Sequence, residues 1–65
     1  MTKEEAIELM KKGVKMTHKY STPEEWVYIG NDGKYVLEDG VECDKYEFWK
    51  WRIQEYWNDG WSEWN

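Results

Sequence analysis

The stretch Glu47-Phe48-Trp49-Lys50-Trp51-Arg52-Ile53-Gln54-Glu55-Tyr56-Trp57-Asn58-Asp59-Gly60-Trp61-Ser62-Glu63-Trp64 holds five of the six tryptophans, one of the five tyrosines and the only arginine of a 65-residue chain. Burying one large ring removes roughly 150–250 Å² from water. A chain of this size hides only about 60% of the surface that it exposes when unfolded. The rings therefore exceed what one small core can hold, and some are expected to face a partner or line a ligand site. Tryptophan, tyrosine and arginine are also the residue types most enriched at binding hot spots.

Residues 1–65 make one domain near the lower size limit for independent folding. The single cysteine, Cys43, excludes an intrachain disulfide, and with one histidine, His18, it does not make a structural zinc site without several carboxylates. Aromatic packing and self-association remain as sources of stability, so a homo-oligomer is expected. The net charge of −5 and the pI near 4.8 argue against a polymeric nucleic acid or an anionic membrane surface as partner. No apolar run approaches the roughly 18 residues of a membrane span. Met1-Thr2-Lys3-Glu4-Glu5 lacks the apolar region of a signal peptide, which makes the cytoplasm the expected location.

Thr2-Lys3-Glu4-Glu5 reads as a capping box. Ala6, Leu9 and Met10 follow on one helical face, and Gly13 is the expected left-handed terminator, so the spacing predicts a helix over 3–12. From Val14 the period becomes two. Val14, Met16, His18 and Tyr20 share one face, with Lys15, Thr17 and Lys19 on the other, as in a half-buried strand. Ser21-Thr22-Pro23-Glu24-Glu25 interrupts it. Trp26-Val27-Tyr28-Ile29 and Lys34-Tyr35-Val36-Leu37 read as a hairpin around Gly30-Asn31-Asp32-Gly33. Asp44 caps an expected helix over 45–56, stopped by Asn58-Asp59-Gly60, and Trp61-Ser62-Glu63-Trp64 is long enough for a last strand with its tryptophans on opposite faces. The expectation is an α+β fold, a small antiparallel sheet with two helices in the order α-β-β-β-α-β.

Catalytic constellations are poor. Nothing in the spacing of His18 and Cys43 supports a nucleophile-base pair, and the acid pairs Glu4/Glu5 and Glu24/Glu25 read as complements to helix dipoles. No phosphate-cradling glycine loop or nucleophile elbow is present, so an enzyme is not expected. Binding is better represented. His18, Lys19 and Tyr20 with Trp26 and Tyr28 combine ring faces with a cation, the chemistry that stacks on bases and meets phosphates. The structural alternative makes Tyr20, Trp26 and Tyr28 core and edge-strand residues. Arg52 among Trp49, Trp51 and Tyr56 suits either stacking of its guanidinium on a ring or an anion contact in a ring-walled pocket.

Glu5-Ala6-Ile7-Glu8-Leu9-Met10-Lys11-Lys12-Gly13-Val14-Lys15-Met16-Thr17-His18, with the closing Asp59-Gly60-Trp61, resembles the phage Thoeris anti-defence type 2 family and its small phage relatives. The opening covers about a quarter of the chain, and the closing motif adds a few residues. His18 stands where that family usually has arginine, and the tryptophan-rich second helix departs from its pattern. The resemblance implies a compact α+β oligomer that sequesters a cyclic nucleotide immune signal without cleaving it, in the cytoplasm of an infected bacterium. It requires no cofactor and no metal. Under that reading His18, Lys19, Tyr20, Trp26, Tyr28, Arg52, Trp57 and Trp61 are the candidate ligand-binding residues. The rival reading is a small phage inhibitor that docks its tryptophan-rich surface on a host defence or regulatory protein. A third reading confines the aromatics to homo-oligomer assembly.

Overall fold

The capping box forms as the sequence prescribes. In the computed structural model, which describes residues 1–65, helix α1 runs Lys3–Lys11. The Glu5 amide donates to Thr2 Oγ1 at 3.2 Å and the Thr2 amide donates back to Glu5 Oε1 at 2.8 Å. Gly13 follows at φ +86°, the left-handed conformation that ends the helix. Replacing Thr2 by Ala is expected to cost about 1 kcal/mol, read from urea denaturation. The Thr2 backbone amide, then its hydroxyl, hold the Glu5 carboxyl below its ordinary range. A lowered folded-state pKa gives stability that is fully present above the unfolded carboxylate pKa and is lost as pH falls through the folded value. The acid-side decline in the urea midpoint should therefore be shallower in Glu5→Gln than in the native chain.

The alternating segments build one antiparallel sheet of five strands. They are β1 (Met16–His18), β2 (Val27–Ile29), β3 (Tyr35–Leu37), β4 (Glu42–Cys43) and β5 (Trp61–Glu63), in the spatial order β4-β3-β2-β1-β5. The α+β class stands as expected, with β4 added. Glu42 and Cys43, just before the Asp44 cap, are too short a run to show a period, and they pair only because β3 is there to receive them, Tyr35 with Cys43 and Val36 with Glu42. The strands are also shorter than the alternation suggested. β1 ends at His18, so Tyr20 leaves the buried face and lies 62% exposed.

One sheet face presents Met16, His18, Val27, Ile29 and Tyr35, all buried. Helix α1 packs on β1, β2 and β5, placing Ala6 and Met10 in the core. Helix α2 (Lys45–Lys50) joins the same face through Phe48, whose ring stacks on Tyr35 at 4.7 Å. The opposite face carries Thr17 across from Ser62, and Tyr28 across from Val36. Only nine of the 65 residues are buried, so nearly every core side chain matters. No helix is long and apolar enough to cross a membrane.

The expected helix over 45–56 breaks in the middle. It stops at Lys50, and a single 3-10 turn, Glu55–Asn58, follows after an extended Gln54. No proline or glycine causes this. The break turns the Arg52 guanidinium back to the Phe48 carbonyl at 2.8 Å and lets the carbonyls of Tyr56 and Asp59 reach His18 on β1. Tertiary bonds outweigh local helical propensity there.

Candidate ligand cleft and its aromatic surroundings

Strands β1 and β2 share a single ladder pair, Met16 with Val27, and splay apart beyond it. The cause is local: Ser21-Thr22-Pro23-Glu24-Glu25 cannot continue a strand, and the chain bends, with the Glu25 amide donating to the Thr22 carbonyl at 3.0 Å. A cleft opens in the splay. Its lining includes Ser21, Glu25, Trp26, Glu38, Arg52 and Trp61. Its enclosed space is about 20 Å³, room for a water molecule and far below a ligand cavity of roughly 300–1,000 Å³.

Arg52 is the electrostatic centre of this cleft. Its guanidinium lies 4.0 Å from the Phe48 ring centroid and 5.4 Å from that of Trp57, and Nη1 donates to the Phe48 carbonyl. It makes no ion pair; the only ones join Met1 to Asp59 and Lys11 to Glu8. Burial pushes the guanidinium down from its ordinary range, and Cys43, Glu25 and Glu38 oppose that shift. A guanidinium has five N–H donors in a planar fork, so most of them remain available to an acceptor entering the cleft. Ser21, Glu25 and Glu38 add acceptors suited to hydroxyl or amino groups of a ligand.

The eight residues expected at one site divide among three places. Trp26, Arg52 and Trp61 line the cleft, although Trp61 is only 3% exposed. Tyr28 stands on the opposite sheet face, stacked against Trp26 with centroids 5.8 Å apart. His18, Lys19, Tyr20 and Trp57 gather around the 3-10 turn. The Lys19 Nζ lies 5.5 Å from the Tyr20 centroid, Tyr20 stacks on His18 at 5.6 Å, and Trp57 lies 4.3 Å from His18.

His18 is a structural clamp with no ring nitrogen free for a ligand or for Cys43. It is 2% exposed. Nδ1 accepts from the Tyr20 amide at 3.1 Å, which leaves the proton on Nε2. That N–H is shared between the Tyr56 carbonyl at 2.9 Å and the Asp59 carbonyl at 2.6 Å. Gly60 makes this approach possible. At φ +87° it is in the left-handed region, and a Cβ there would lie 3.1 Å from Lys19 Cδ and 3.2 Å from His18 Nε2. Gly60→Ala is expected to lose more than about 1 kcal/mol, from the left-handed conformation alone, with the contact to the fixed histidine adding to it. Thermal denaturation would read the loss.

Sequence reasoning missed Ser21, Glu25 and Glu38 at the cleft, because only the strand splay brings them together. It also missed the pairing of Lys15 with Trp64. No group of three or more His, Cys, Asp or Glu side chains is placed to hold a metal. Burial, then Glu47, pushes the Cys43 thiol up, which leaves it a weak nucleophile at neutral pH. Comparison with protein-family models, with curated proteins and with solved structures finds no match.

Proposed function

We propose that the chain is a non-enzymatic sponge that binds a cyclic nucleotide second messenger and holds it uncleaved. One observation carries the reading: the Trp26 indole and the unpaired Arg52 guanidinium line the same open cleft. A flat ring and a forked cation are what a base and a phosphate require, and base–aromatic stacking contributes roughly 1–3 kcal/mol per base. The resemblance of residues 5–20 and 59–61 to a family of phage sponges points the same way. The cleft of one chain is too small to enclose a nucleotide, so the working site is completed by a second copy in a homo-oligomer. The setting is the cytoplasm of an infected bacterium.

Isothermal titration against cyclic di- and trinucleotides and cyclic ADP-ribose isomers tests this, with mass analysis of what heating releases. Saturable binding and intact ligand are expected. Absence of binding across the panel would overturn it.

A second reading has its own observation. Tyr46, Trp51 and Ile53 are 77%, 74% and 80% exposed on and just beyond α2. Rings and an isoleucine this accessible suit a protein-docking hot spot. An inhibitor of a host protein would co-purify with one target in a stoichiometric complex that Trp51→Ser and Ile53→Ser dissolve.

A further inference from the structure

We propose a second site, on the open face of the sheet and sharing only Trp26 with the Arg52 cleft: Trp26 and Trp64 form an ammonium-binding pair that receives a lysine side chain from a basic segment of a partner protein. Lys15 occupies the pair in the free chain.

The ladder creates the pair. Met16 lies across from Val27 on one side and from Glu63 on the other, so Lys15 and its neighbours on β2 and β5 share the helix-free face. The Trp64 amide donates to the Lys15 carbonyl at 2.9 Å, which fixes Trp64 beside Lys15. The indole Nε1 of Trp64 donates to the Pro23 carbonyl at 2.9 Å, which sets that ring against the 21–25 bend. The centroids of Trp26 and Trp64 are 6.2 Å apart with planes at 54°. Tyr28 backs the Trp26 ring at an interplanar angle of 20°. The Lys15 ammonium sits 4.3 Å from the Trp26 centroid and 5.6 Å from that of Trp64, within the roughly 6 Å of a cation–π contact.

The occupant shows what the pair accepts, and its own hold is weak. Lys15 is exposed and has no carboxylate partner. A cation–π contact at an exposed site is much weaker than one that an approaching surface desolvates. An incoming lysine, covered by the partner that carries it, therefore gains more from the same rings than Lys15 does. Charge points the same way. The bend that brings Trp26, residues 21–26, carries Glu24 and Glu25 and no cation, in a chain of net charge −5. A basic segment is attracted there, and an acidic one is repelled.

The probes are a tetralysine peptide and tetramethylammonium, followed by the indole N–H resonances of Trp26 and Trp64. Both probes should shift these resonances, and the tetramethylammonium methyl protons should move upfield between the ring faces. Lys15→Met removes the resident cation and should tighten tetralysine binding about two- to five-fold, the equivalent of one exposed cation–π contact. Trp64→Leu keeps every charge and should weaken it about tenfold or more. Trp64→Phe, which keeps an aromatic face, should retain part of the affinity if loss of the Pro23 bond leaves the fold intact. Equal tetralysine binding by the native chain and Trp64→Leu would overturn the site, since attraction to net charge alone would then explain it. Binding of tetramethylammonium without tetralysine would overturn the protein partner. The Lys15 and Trp64 variants separate this site from the nucleotide cleft, because both residues lie outside the Arg52 cleft and only Trp26 belongs to both.

Discussion

Trp61→Ala is expected to destabilise the fold by about 3–5 kcal/mol, the range for removing a buried large aromatic. Trp61 is 3% exposed, and its ring meets His18 edge-on at 4.9 Å and Trp49 at 5.7 Å. Its Nε1 donates to the Trp57 carbonyl at 2.7 Å, so truncation also strands an acceptor in the 3-10 turn. Its backbone is equally engaged: the Trp61 amide donates to the Met1 carbonyl, and the Met1 nitrogen donates to the Trp61 carbonyl. Small domains have only about 5 kcal/mol or less to lose. The variant should be largely unfolded at 37 °C, seen as collapse of the dispersed indole N–H signals. A cooperative transition within about 1 kcal/mol of the native one would mean that the ring is not a core element.

His18→Phe should cost about 2–4 kcal/mol, although it conserves an aromatic ring in an aromatic setting. The replacement leaves the Tyr56 and Asp59 carbonyls without their donor and the Tyr20 amide without its acceptor. Each buried group left unsatisfied costs roughly 1–3 kcal/mol, discounted here because part of this shell reaches solvent. The loss should be local first. The 3-10 turn Glu55–Asn58 would detach while the hairpin of β2 and β3 persists, so amide exchange should rise at residues 55–60 before it rises at 27–37. Uniform protection in His18→Phe would contradict the clamp.

The elements with their own local chemistry were legible in the sequence. Thr2 and Glu5 announced α1, Gly13 announced its end, and the alternation about Met16 and Val27 announced the central strands. The two tryptophans of the closing segment do divide between faces, Trp61 on β5 to the core and Trp64 just past it to the open side. What stayed hidden depended on partners distant in sequence. β4 exists only as a complement to β3. The helix break after Lys50 goes with the bonds that His18, far back on β1, makes to the carbonyls of Tyr56 and Asp59. The candidate site was legible as residue types but not as a place. His18 and Tyr20 belong together as expected, but around the clamp. Tyr28 went to the far face of the sheet. Arg52 found Phe48 and Trp57 as its rings rather than Trp49, Trp51 and Tyr56, because the break rotates the chain after Trp51.

The most direct test of the sponge is a pair of titrations with the tightest-binding cyclic nucleotide of the panel, one on the native chain and one on Arg52→Gln, each first shown to be folded by urea denaturation. A charge-assisted fork on phosphate corresponds to about 100-fold in affinity at the upper end of its range. The predicted result is binding by the native chain, with a loss of that order in Arg52→Gln and intact ligand recovered from both. Equal affinity in the two proteins would contradict the cleft as the nucleotide site.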